Sequence, residues 1–173
     1  MMTRTAFRAM ALTTTFCILP TMAMAQEYVT LENSAFPGHR LNASTTTASG
    51  AVWMGPTAPP QQQTMSGQQW YAEEAAPDIF KIKLRGAQAN TCLTLITHDE
   101  LRVITAFAPC AVDGAQLWSS SDDDPMRIYN GASPAGECLT AINSGQYTGS
   151  LTMTDCGAGD VATELWTDHD AAN

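Results

Sequence analysis

The sequence predicts an all-β fold built from three copies of one unit, and three observations carry that expectation. Four cysteines form two equally spaced sets, Cys92 with Cys110 and Cys138 with Cys156, each 18 residues apart and offset from one another by 46. Trp70, Trp118 and Trp166 follow one another at intervals of 48. Between these markers lie short β-like runs separated by turn residues (Arg85-Gly86, Asp113-Gly114, Asn130-Gly131, Asn143-Ser144-Gly145, Gly157-Ala158-Gly159), with no helical period. A unit of this length cannot bury its apolar face alone, and three units of about four strands each suffice if they close into a ring. Those units point to a β-trefoil.

The chain of 173 residues opens on what reads as an export signal at residues 1–25: Arg4 and Arg8, an apolar, threonine-rich run from Met10 to Met22, then Ala23-Met24-Ala25 as a cleavage site. That run is too short and too interrupted by threonine to span a membrane, and no other apolar run approaches the roughly 20 residues a spanning helix needs. Residues 26–173 then form one domain, with repeats at about 26–75, 76–123 and 124–173. The expected location is secreted or periplasmic, where the four cysteines left after loss of Cys17 oxidise to disulfides.

The first repeat runs from Tyr28-Val29-Thr30-Leu31 through Arg40-Leu41-Asn42-Ala43 and Ala51-Val52-Trp53-Met54 to Gln68-Gln69-Trp70. Its middle is stretched by Pro56, Pro59, Pro60 and Gln61 to Gln63, a loop-like insertion. The second and third repeats align more tightly. Ile82 and Ile128 each lie ten residues before a cysteine, in the alternating runs Phe80-Lys81-Ile82-Lys83-Leu84 and Met126-Arg127-Ile128-Tyr129. Cys92-Leu93-Thr94-Leu95 matches Cys138-Leu139-Thr140-Ala141, and the strands entering the second cysteines are read as Leu101-Arg102-Val103-Ile104 and Ser150-Leu151-Thr152-Met153. A large apolar group recurring at one position belongs in a core layer, so Trp70, Trp118 and Trp166 are scaffold. Of the three possible cysteine pairings, only Cys92–Cys110 with Cys138–Cys156 treats the copies alike; each closure contributes on the order of 3 kcal/mol. The first repeat, without cysteines, is expected to hold by packing alone.

With the signal removed, 6 basic residues remain against 17 acidic ones, a net charge of −11 with histidine neutral. Such a surface repels nucleic acid and anionic lipid and keeps an exported protein soluble. Catalytic constellations are missing. His39, His98 and His169 lack metal-ligand spacing, there is no Gly-x-Ser-x-Gly elbow or phosphate-cradling loop, and the cysteines are better explained as bridged than as nucleophiles. Asp122-Asp123-Asp124 lacks the alternating pattern of a calcium loop and reads as a solvated junction between repeats. Asn42-Ala43-Ser44 fits the glycan acceptor pattern, and Thr45 to Ser49 begins a low-complexity loop read as a tolerated insertion. No enzyme activity, cofactor or metal is expected.

Cys-Leu-Thr, a strand, a second cysteine and then Gln116-Leu117-Trp118 or Glu164-Leu165-Trp166, with Gln68-Gln69-Trp70 in the first unit, resembles the ricin-type β-trefoil lectins and their Gln-x-Trp repeat. The likeness covers nearly all of residues 26–173. It implies sugar recognition by an Asp two residues after the first cysteine, an aromatic platform near the second, and an Asn just before Gln-x-Trp. Here Asn42, Thr94 and Thr140 stand at the Asp positions, Gly67, Ala115 and Thr163 at the Asn positions, and Phe107 lies near the platform region. The residues to inspect for a ligand are therefore Asn42 with Gln68, then Thr94, Asp113 and Gln116. Two functions compete: a secreted carbohydrate-binding module for a glycan or glycoprotein, and a module for a protein partner. The second is similar to the receptor-binding A and C subunits of cytolethal distending toxins, an analogy of fold.

Overall fold

The computed structural model describes residues 27–44, 50–63, 67–87, 90–96, 106–111 and 113–171. The expected signal at residues 1–25 lies outside them, as do His98, the 101–104 run and the low-complexity residues 45–49. Twelve strands are found among the described residues: β1 (Val29–Asn33), β2 (His39–Ala43), β3 (Gly50–Pro56), β4 (Trp70–Ala76), β5 (Ile79–Leu84), β6 (Thr91–Thr94), β7 (Ala106–Pro109), β8 (Trp118–Ser120), β9 (Ile128–Asn130), β10 (Glu137–Ala141), β11 (Leu151–Asp155) and β12 (Trp166–Asp170). They form three equivalent groups of four, β1–β4, β5–β8 and β9–β12.

The first and last strands of each group close into a six-stranded antiparallel barrel. Its order is β12-β1-β4-β5-β8-β9, and a bridge between Met126 and Trp166 returns β9 to β12. The register repeats three times. Within each repeat Val29 faces Trp70, Phe80 faces Trp118 and Met126 faces Trp166. On its other side each tryptophan faces Leu84, Asn130 or Asn33. The middle strands of each group form the hairpins β2–β3, β6–β7 and β10–β11. They gather over one end of the barrel, where β3 pairs with β7 and Trp53 bridges to Ser150. This is the all-β trefoil that the sequence predicts.

Alternation explains the core. Apolar residues two apart on each barrel strand point inward, so Leu31, Ile82 and Ile128 recur at one level, with Leu41, Leu93 and Leu139 beneath the hairpins, all buried. The tryptophans are fully buried at 0% exposure. Each indole also donates its Nε1–H to a hairpin carbonyl: Trp70 to Leu41 at 2.9 Å, Trp118 to Leu93 at 3.0 Å and Trp166 to Leu139 at 2.9 Å. One residue type therefore fills the core and ties barrel to cap, which is why no smaller aromatic replaces it in any copy.

Among the described residues the strand that enters Cys110 is Ala106–Pro109, which the Cys92–Cys110 bridge, with its Cα atoms 5.0 Å apart, holds opposite β6 with Cys92 facing Ala108. The first repeat also has more than packing. Arg40, at the position of Cys92 and Cys138, forms an ion pair with Glu32, while Thr57, at the position of Cys110 and Cys156, donates its hydroxyl to the Gly38 carbonyl at 2.9 Å. Burial pushes the Arg40 guanidinium below its usual range, and its Nε finds no hydrogen-bond partner.

Candidate functional site

The glutamine of each Gln-x-Trp unit follows a tight turn and precedes a barrel strand, which carries its side chain inward. Gln116 accepts the Ala111 N–H and donates to the Pro109 carbonyl and to the Thr94 hydroxyl, the last two at 2.9 Å. Gln68 repeats the arrangement two residues for two, accepting from Ala58 N–H at 2.8 Å and donating to the Pro56 carbonyl at 2.7 Å. In the third repeat Glu164 takes the Gly157 N–H with both carboxylate oxygens at 2.8 Å and lies 3.5 Å from the Arg127 guanidinium. All three residues are buried, and each clamps the segment after the third strand of its own repeat. Their amides and carboxylate serve the scaffold in this structure.

The Asp positions are strand residues too. Thr94 and Thr140 turn their hydroxyls to the carbonyls of Cys92 and Cys138, at 2.9 and 3.1 Å, and Thr140 also meets the Thr154 hydroxyl at 2.7 Å. Asp113 is exposed and caps the short turn Gly114–Gln116, accepting Ala115 N–H at 3.1 Å, as Asp160 does for Ala162 in the next repeat. The structure thus brings Thr94, Asp113 and Gln116 to one turn of the second repeat, with Asn42 and Gln68 in the first. The Asn position in the first repeat holds Gly67 for a backbone reason: its φ is +71°, and a Cβ there would collide with the Ala43 carbonyl oxygen.

The first repeat differs from the others on its outer face. Asn42 on β2 stands directly opposite Trp53 on β3, and both flank Gly55, whose missing side chain leaves room for the Asn42 amide and the Trp53 indole. Trp53 is 41% exposed, on a strand where Val52 and Met54 point into the core. The sequence reading passed over it as an ordinary strand residue; alternation with two buried neighbours is the signal that marks it as outward-facing. A second exposed aromatic, Tyr147 at 48%, lies in the turn that precedes β11. That turn reaches β3 through the hydrogen bond from Met54 N–H to the Gly149 carbonyl at 2.7 Å. The side chain of Phe107 lies outside the described residues.

The exposed Trp53 indole is suited to a ligand with one apolar face and a ring of hydroxyls, and Asn42 beside it is 5% exposed. Other chemistry is sparse. His39 stacks edge-on against Phe36, His169 lies 3.4 Å from Glu32, and no group of three or more histidine, cysteine, aspartate or glutamate residues among the described ones is arranged to hold a metal ion.

No protein-family model matches the chain, and no curated protein does. Solved structures do. The chain is similar to ThreeFoil, a designed threefold-symmetric protein, at 16% identity and a TM-score of 0.63, over 83% of this chain and 98% of that one. It is similar to the Haemophilus ducreyi cytolethal distending toxin at 15% identity and 0.60, over 84% and 83%. It is also similar to the Polyporus squamosus lectin bound to a human-type influenza-binding epitope, at 19% and 0.62, over 85% of this chain and 50% of the lectin's length. At these identities the likeness is one of fold: the chain is a β-trefoil, an architecture it shares with lectins and with toxin subunits.

Proposed function

We propose that the protein is an exported carbohydrate-binding module whose usable site lies in the first repeat, with Trp53 as the platform under a sugar ring and Asn42 as its hydrogen-bonding neighbour. The observation that carries this reading is the exposed Trp53 indole set directly across from Asn42. Aromatic faces cover the C–H patch of a pyranose while amides meet its hydroxyls, and such contacts give weak, specific binding. The two disulfides and the sugar-binding trefoil among the similar structures support a secreted or periplasmic lectin-like role. A glycan array with the folded protein tests it. Binding to a defined sugar, lost in Trp53→Ala and retained in the second-repeat variant Asp113→Ala, is the expected result; silence across all sugars removes the reading.

A second reading is favoured by the inward-turned Gln68, Gln116 and Glu164, which give the scaffold the groups a sugar would use. In it the trefoil is a protein-interaction or receptor-binding subunit of an exported toxin-type complex, as the resemblance to the cytolethal distending toxin suggests. Pull-down from the native secretome separates the two: a stoichiometric protein partner favours assembly, and elution by free sugar favours the lectin. Neither reading includes catalysis, and turnover in a hydrolase screen, lost with a single-residue change, would overturn both on that point.

A further inference from the structure

The repeat that builds the barrel also shows where it is left incomplete. Val29, Phe80 and Met126 occupy one threefold level, each facing the tryptophan of its own repeat. Leu31, Ile82 and Ile128 form the level below. Two residues beyond the tryptophans, on the outgoing strands, the same symmetry sets Ala72, Ser120 and Asp168. Barrel interiors are filled by large branched or aromatic side chains at such positions. This level instead holds two small residues and a carboxylate. All nine residues line one cavity of about 420 Å³. It opens at the end of the barrel opposite the three hairpins, because the outgoing strands leave the hairpins at their tryptophans.

The rim of that opening is acidic. Glu27 and Asp168 line the cavity itself. Asp78 lies in the β4–β5 turn, Asp122 to Asp124 in the β8–β9 connection and Asp170 at the end of β12, all exposed. Of the basic residues in these segments, Arg127 lies against Glu164, Lys83 against Glu73 and His169 beside Glu32, leaving Lys81 as the counterweight among the described residues. Ile79, exposed beside Phe80, extends the apolar wall onto the surface. A cavity of this volume falls within the ~300–1,000 Å³ range of ligand pockets. The carboxylates, however, extend over the β4–β5 and β8–β9 connections and the paired ends of β1 and β12, farther than a small molecule seated in the cavity reaches. An apolar socket within a broad ring of negative charge fits a polypeptide that is apolar at its centre and basic around it.

We propose that the open end of the barrel is a docking socket for a basic segment of a partner protein, which seats one large apolar side chain in the cavity lined by Phe80, Met126 and Ala72 and lays lysine or arginine against the surrounding carboxylates. The socket lies at the opposite end of the molecule from Trp53, so it is independent of the sugar-binding reading.

The test is a fluorescence-anisotropy titration of the intact protein with short labelled peptides carrying a central Phe, Leu or Trp flanked by Lys and Arg, beside versions with the central residue changed to Ala or the basic residues to Glu. At least one apolar-centred basic peptide should bind, with affinity falling as salt rises. Loss of at least about tenfold is expected for its Ala-centred and Glu-flanked versions and for the cavity-filling variant Ala72→Phe, and a several-fold loss for Asp168→Asn, which leaves the cavity volume unchanged. Circular dichroism confirms that both variants fold, and Asp168→Asn keeps the test decisive if Ala72→Phe does not. The proposal is overturned if no peptide in the panel binds, or if the Ala-centred peptide binds equally well, which is unspecific charge attraction. It is likewise overturned if a simple arylalkylammonium binds as tightly as the peptide, which makes the cavity a small-molecule site, or if Ala72→Phe abolishes a self-dimer instead.

Discussion

At the scale of the residue, the Gln-x-Trp element is a device for joining two layers. The tryptophan fills the core and bonds a hairpin carbonyl, while the residue two before it holds the chain where the third strand ends. Replacing Gln116 by Ala leaves the Ala111 N–H, the Pro109 carbonyl and the Thr94 hydroxyl without that partner, and should destabilise the fold by about 1–3 kcal/mol in urea titration. Trp118→Ala, which also opens a cavity, should cost about 3–5 kcal/mol by the same measurement. Gly67 gives a sharper prediction. Placing there the Asn of the ricin-type lectin repeat requires a side chain at φ +71° against the Ala43 carbonyl oxygen, so Gly67→Asn should lower thermal stability and create no sugar site. The tryptophans' burial was legible from their spacing. Their indole bonds were not, because a hydrogen bond across 25 to 29 residues depends on where a hairpin folds back.

At the scale of the element, the two disulfides close equal loops of 18 residues, each pinning the hairpin it begins and ends. Chain entropy therefore assigns them similar roles. Replacing either pair by serine should cost about 2–5 kcal/mol, and the two pairs should differ little in calorimetry. In the second-repeat hairpin Ala106-Phe107-Ala108-Pro109 has a weak β signature of its own, yet it is the segment that pairs with β6. Strand register is decided by covalent closure and cross-strand partners, and a window of four residues contains neither. In the first repeat the same place in the hairpin is held by Arg40 with Glu32 and by Thr57 with Gly38. That substitution lay beyond sequence reading because Glu32 comes from β1, outside the hairpin.

At the scale of the whole molecule, closure joins the ends of the described chain: β1 pairs with β12 from Val29–Asp170 to Asn33–Trp166. Truncation after Leu165 removes the partner of β1 along its length together with the third core tryptophan, and should abolish the cooperative unfolding transition. The strong negative charge opposes compaction, so raising ionic strength from a few mM to several hundred mM should raise the melting temperature. Sequence alone determined that this protein is three β-rich copies sharing one core, with tryptophans and cysteines as its markers, because a period is a property of the chain and survives any uncertainty about contacts. Only the tertiary structure decided which polar residues are consumed by the scaffold, that Trp53 faces outward beside Asn42, and that Ala72, Ser120 and Asp168 meet at the barrel mouth. The reason is geometric: these residues lie far apart along the chain, and threefold closure of the barrel is what sets them at one level.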